Sequence, residues 1–255
     1  MSQSDSTTAF HFKQFDVCQD RCAMKVGTDG VLLGAMAPLP PLTDHISVLD
    51  IGTGTGLLSL MAAQRMADAG HTDFHIEAID IDADAVMQAS VNAVQSPWGS
   101  HLSVQHCPLA QYTQTISPSA RYDLILCNPP FYNATLKPSD AARATARHKD
   151  ALPLSEIAQF AHSYLSDRGL LSLIFPADYE GEVMAATILA QLSPISVCRI
   201  LTKVGKPCKR LISTFALRSV STAPTTSSTL AIRDAEGNYT PEYRTLTAPF
   251  YVSLK

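Results

Sequence analysis

Apolar and polar positions follow two periods along this chain, and the switches between them mark its elements. Residues 10–15, Phe-His-Phe-Lys-Gln-Phe, alternate aromatic and polar like a short strand or arm. An apolar helix follows at 31–36, with Thr28 or Asp29 as its expected cap, and Pro38, Pro40 and Pro41 end it. From Ile46 the order becomes regular. A β-branched and apolar run ends in Asp50, glycines stand at 52, 54 and 56, and helix-forming residues run from 57 to 69. Strand 74–81, a helix from Asp82 to about Gln95, and strand 102–106 come next, the helix broken by Ser96-Pro-Trp-Gly. A Ser/Pro/Thr-rich connection leads to strand 122–127, and a loop with a charged centre spans about 132–150. Helix 153–166, strand 169–175 and helix 179–192 precede two strands, 195–203 and 210–218, joined by a short turn. Strands and helices alternating at these lengths predict an α/β fold: a mostly parallel sheet with helices on both faces and an antiparallel hairpin at one edge.

Length and composition set the frame. The chain has 255 residues, enough for one large domain with small appendages. We divide it into an arm and helix at 1–45, a main domain at 46–219, and a tail at 220–255 that opens with a Ser/Thr-rich linker. The polar N-terminus lacks signal-peptide features, and no apolar run approaches a membrane span, so a cytoplasmic protein without a membrane partner is expected. The six cysteines are scattered and read as reduced thiols. His71 and His75 lie across a strand entry rather than on one helix face, so no metal site is expected. The formal charge of −4 excludes a generally adhesive nucleic-acid binder and confines any RNA contact to local patches.

Candidate chemistry lies at the strand ends, where open parallel sheets bind ligands. Gly52, Gly54 and Gly56 let the backbone turn and approach a ligand closely. A dinucleotide fingerprint would place its third glycine at position 57, which is Leu. Asp50, just before the turn, suits a cationic ligand better than a pyrophosphate. Asp80 ends the next strand, where a carboxylate can accept both hydroxyls of a ribose; Asp82 and Asp84 read as a helix cap and first-turn charges. The fourth strand ends in Asn128-Pro129-Pro130-Phe131. Neither proline has an N–H, so this strand end offers acceptors, to which Asn128 adds a side-chain carbonyl and Phe131 a flat apolar face. Such a site suits a planar substrate carrying an exocyclic amino group.

The glycine loop resembles the cofactor loop of Rossmann-like methyltransferases, which bind S-adenosylmethionine (AdoMet). Joined to Asn128-Pro-Pro-Phe131, it resembles the amino-methyltransferases of that class. Residues 12–15 and 20–30, Ser96-Pro-Trp98, Arg143-Ala-Thr-Ala-Arg147 and the aromatic tail at 239–251 extend the likeness over nearly the whole chain. Together they resemble the bacterial tRNA1(Val) adenine-N6 methyltransferase family. That resemblance implies a class I methyltransferase with a seven-stranded sheet, acting with AdoMet on an adenine of tRNA, in the anticodon loop. It implies that Lys25, Thr28 and Asp29 border the methionine end of AdoMet, that the glycines admit it, and that Asp80 holds its ribose. Asn128 and the Pro129 carbonyl would hold N6, with Pro130 and Phe131 completing the base site. The third strand departs from the pattern: it ends His106-Cys-Pro-Leu109 where an Asp often meets the cofactor adenine. Candidate RNA contacts are Lys13 and Arg21; Arg143, Arg147 and Lys149; and Lys203, Lys206, Lys209 and Arg210. The competing readings are methyl transfer to rRNA guanine N2 or protein glutamine N5, and a non-catalytic AdoMet- or RNA-binding module.

Overall fold

The computed structural model describes residues 9–22, 24–42, 45–131, 152–220 and 224–254. Strands β1 (Ala9–His11) and β2 (Asp16–Cys18) pair as a small antiparallel sheet, and α1 (Thr28–Met36) follows. The main sheet is built from β3 (Ile46–Ile51), β4 (Phe74–Asp80), β5 (Leu102–His106), β6 (Tyr122–Cys127), β7 (Leu165–Pro176), β8 (Leu192–Lys203), β9 (Cys208–Leu217) and β10 (Thr226–Arg233). Its helices are α2 (Leu57–Asp68), α3 (Ala83–Gln95), α4 (Leu109–Thr115), α5 (Leu154–Tyr164), α6 (Glu180–Leu189) and α7 (Pro241–Thr247). Across the sheet the order is β10-β8-β9-β7-β6-β3-β4-β5. From β5 to β7 all pairs are parallel, while β9 runs antiparallel to both β7 and β8.

The buried residues alternate between the two faces of the sheet, as period-2 strands covered on both sides require. Val48, Leu124 and Leu126 point into one core with α1, α2 and Tyr243 of α7. Leu49, Ile125 and Cys127 point into the other, with α4, α5 and α6. The expected alternation of strands and helices from β3 to β9 is therefore present.

Three local expectations change. Among the described residues the sheet has eight strands, not seven, because β10 pairs in parallel with β8 and covers the hairpin expected at the edge. Its segment, Thr226-Ser-Ser-Thr-Leu-Ala-Ile-Arg, overlaps the stretch read as a linker. Threonines suit a pleated edge whose outer positions face water, and only Leu230 is buried there. The connection after β5 contains α4, a short helix that buries Leu109 and Tyr112, three residues apart. Helix α1 begins at Thr28 with Gly27 as its cap and no side-chain cap bond, so Thr28 and Asp29 are first-turn residues.

The tail also closes on the arm. Tyr243 and Phe250 enter the first core, Phe12 bridges to Tyr251, and the Lys13 amide donates to the Phe250 carbonyl at 2.8 Å. No helix among the described residues is long and apolar enough to cross a membrane.

Candidate active site

A cavity of about 900 Å³ opens at the carboxyl ends of β3, β4, β5, β6 and β7, a volume suited to a cofactor-sized ligand. Its floor is the glycine turn. Gly52, Gly54 and Gly56 have φ of +71°, +58° and +82°, a region that glycine adopts without strain. A Cβ built on Gly52 or Gly54 would meet no protein atom within 4 Å. The space beside these two residues therefore belongs to the cavity, and a side chain there would fill it. At Gly56 a Cβ would meet Ala89 of α3 at 3.4 Å, an ordinary contact, so what calls for glycine here is its φ of +82°.

Asp80 joins the turn to β4. Its carboxylate accepts the amides of Gly54 (2.8 Å) and Asp82 (2.9 Å), and the residue is half-buried in the cavity wall. An ionised carboxylate offers about four acceptor positions, so two such bonds leave capacity for a diol. Asp82 caps α3 as expected, accepting from the amides of Asp84 and Ala85.

Asp50 does not reach the ligand space. It is fully buried, and its Oδ2 accepts from the Thr53 hydroxyl (2.7 Å) and from the Ser59 amide (3.2 Å) and hydroxyl (2.7 Å). Among the described residues its Oδ1 has no hydrogen-bond partner. Burial pushes its carboxyl up to about 6, against the lowering effect of those hydrogen bonds. The expectation of direct cofactor contact is corrected here: Asp50 braces the glycine turn from behind.

Asn128 follows β6 directly and lines the cavity with Pro129, Pro130 and Phe131. The Phe131 ring packs against Tyr179 at 4.8 Å and Phe175 at 6.5 Å between centroids, both tilted. These contacts fix its orientation at the wall. Lys25, Thr28 and Asp29 also line the cavity, where α1 begins. Glycine turn, ribose-type carboxylate and acceptor-rich strand end thus share one cavity.

The chain matches the family described as "Methyltransferase small domain" over residues 28–177. It is 40% identical over 249 residues to a protein of Christiangramia forsetii named tRNA1(Val) (adenine(37)-N6)-methyltransferase, covering 98% of this chain and all of that one. A protein of Flavobacterium johnsoniae with the same name is 41% identical over 245 residues, covering 96% of this chain and all of its own. The chain belongs to the family of tRNA1(Val) (adenine(37)-N6)-methyltransferases. Its fold extends further. A protein from Agrobacterium tumefaciens, described as a predicted O-methyltransferase, superposes with a TM-score of 0.66 at 16% identity, covering 87% of this chain and 96% of that one.

Within this family member the expected basic residues have distinct settings. Arg210 lines the cavity and pairs through Nε with Asp29 at 2.7 Å, joining β9 to α1. The Lys13 ammonium donates to the Ala248 carbonyl at 2.6 Å, which ties the arm to the tail. Arg21 is exposed, with its Nη1 beside Met87 Sδ at 3.1 Å. Lys206 and Lys209 are exposed and Lys203 is half-buried, all in the β8–β9 hairpin. Because Arg210 pairs with Pro176 at the carboxyl end of β7, this hairpin tip stands at the cavity's end of the sheet. Arg143, Arg147 and Lys149 lie outside the described residues.

Further walls are Cys107–Ala110 after β5, which includes the strand end noted in the sequence, Ile174–Pro176 ending β7, and Glu156 in α5. The strand-end rule reaches the first two, since it applies to every parallel strand of the sheet. Glu156 has no such signal, because its place depends on how α5 packs. Among the described residues no group of three His, Cys, Asp or Glu side chains could hold a metal ion, and no cysteine is in a disulfide.

Proposed function

We propose that this protein methylates the exocyclic N6 of adenine 37, beside the anticodon of tRNA1(Val), with AdoMet as the methyl donor. The observation that carries this is the single cavity shared by the Gly52–Gly56 turn, Asp80 and Asn128-Pro-Pro-Phe131. The names of its full-length relatives agree with that reading. Methylation of tRNA makes the cytoplasm its place of action.

The residues have separable roles. Gly52 and Gly54 admit the cofactor, Asp80 accepts from its ribose, and Lys25, Thr28 and Asp29 border its amino-acid end. When bound, AdoMet supplies an electrophilic methyl group, so the protein need not activate the methyl. The difficulty lies in the nucleophile, whose nitrogen lone pair is delocalised into the purine ring. Asn128 Oδ1 and the Pro129 carbonyl accept the two N6 hydrogens, which favours a pyramidal nitrogen with its lone pair free to attack. Positioning and preorganised polar groups then lower the barrier. Phe131 stacks on the base and offsets part of the cost of unstacking it from the loop.

The hairpin lysines Lys203, Lys206 and Lys209, at the cavity's end of the sheet, contact tRNA phosphates. An RNA lacking the enzyme's modification is the direct substrate for a test. Incubation of unmodified tRNA1(Val) with AdoMet should yield N6-methyladenosine, and a transcript with guanine at position 37 should yield none. Methylation that is equal on both transcripts would overturn the assignment of the position.

A further inference from the structure

The end of β5 carries Cys107-Pro108-Leu109 and no carboxylate. Glu156 of α5 lines the same cavity. Its Oε1 is buried and has no hydrogen-bond partner among the described residues. An unpartnered buried acceptor is costly and calls for a donor, which none of the described residues supplies.

Helix geometry fixes which wall Glu156 faces. Residues four apart on a helix share a face, so Glu156 lies one turn above Phe160, toward the carboxyl ends of the strands. The Phe160 ring packs 6.1 Å from that of Tyr112 in α4. Helices α4 and α5 both start at the carboxyl ends of the strands they follow, β5 and β6. One turn above Tyr112 lie Pro108 and Leu109. Phe160 also lies 6.2 Å from Tyr122 of β6, so this face of α5 looks toward α4 and β6, and Glu156 shares the cavity with the Cys107–Leu109 wall. Phe131, by contrast, leans on Phe175 and Tyr179, toward β7. The Asp80 carbonyl accepts the Cys107 amide at 2.9 Å, so a base attached to a ribose held at Asp80 would lie next to that same wall.

We propose that the Glu156 carboxylate accepts the exocyclic amino group of the cofactor's adenine, in the role that the end of β5 leaves unfilled. This rests on the reading of the cavity as an AdoMet site. It assigns Glu156 to cofactor selection and not to the target base.

Calorimetry on the full chain tests it with two probes: S-adenosylhomocysteine, and its analogue whose purine has hydrogen in place of the 6-amino group. Wild type should prefer the amino form by about tenfold or more, the scale of one hydrogen bond to a charged group. Glu156→Ala should bind S-adenosylhomocysteine about tenfold more weakly and the analogue as wild type does, so the preference vanishes. Glu156→Gln keeps an acceptor and a similar shape; it should show an intermediate preference, and it decides the matter if the Ala variant does not fold. A preference that is undiminished in both variants, or a loss that is equal for the two probes, would overturn the proposal. Failure of wild type to bind either probe would instead overturn the cofactor reading.

Discussion

Gly54 donates its backbone N–H to the Asp80 carboxylate at 2.8 Å. One side chain thereby fixes the apex of the glycine turn against the end of β4, and the same carboxylate faces the cavity. A ligand held at Asp80 would therefore be coupled to the geometry of the loop. Asp80→Ala should weaken S-adenosylhomocysteine by roughly 1.5–3 kcal/mol, the scale of hydrogen bonds to a charged group. Calorimetry on a folded variant measures this directly. Unchanged affinity would remove Asp80 from the cofactor site.

Asp50 should leave a signature in stability against pH. Burial raises its carboxyl from 3.8 to about 6, so the folded state holds this proton more tightly than the unfolded chain does. The contribution is complete below about pH 4 and is lost as pH rises through about 6. Asp50→Asn removes the titration while keeping an oxygen for Thr53 and Ser59. Between pH 4 and 7 the wild type should lose on the order of 3 kcal/mol relative to this variant. Denaturant unfolding across that range checks it, and parallel curves would show that Asp50 is not proton-linked.

RNA binding should be concentrated and salt-dependent. Each phosphate contact contributes somewhat under one unit, about 0.7–0.9, to the log–log salt slope. Reversing Lys203, Lys206 and Lys209 to Glu should raise the KM for tRNA and flatten that slope. Affinity for S-adenosylhomocysteine should stay unchanged, since none of the three lines the cavity. Wild-type kinetics across a salt series would reduce the hairpin tip to a solvated turn.

The elements from β3 to β9 are legible in the sequence because the hydrophobic period switches cleanly between strand and helix. Helix α4 is not, since seven residues rich in Thr and Gln bury only Leu109 and Tyr112. Strand β10 hides behind serines and threonines, which suit an exposed edge as well as a linker. That Gly52, Gly54, Asp80 and Asn128 line one cavity is readable, because strand position specifies where they stand. Asp50 shows the limit: its spacing says that it borders the turn, but only packing says which way the carboxylate turns. Glu156 comes from a helix far along the chain, and tertiary structure alone brings it to the cavity.

Asn128 tests the central claim most directly, because its acceptor is demanded by the amino group that reacts. Single-turnover methylation of unmodified tRNA1(Val) should be followed alongside tRNA affinity for wild type and Asn128→Ala. The rate of N6-methyladenosine formation should fall by about two to three decades, the cost of losing one preorganised polar group, while tRNA affinity remains nearly intact. A variant that forms N6-methyladenosine at the wild-type rate would contradict the assignment of this strand end to the N6 amino group.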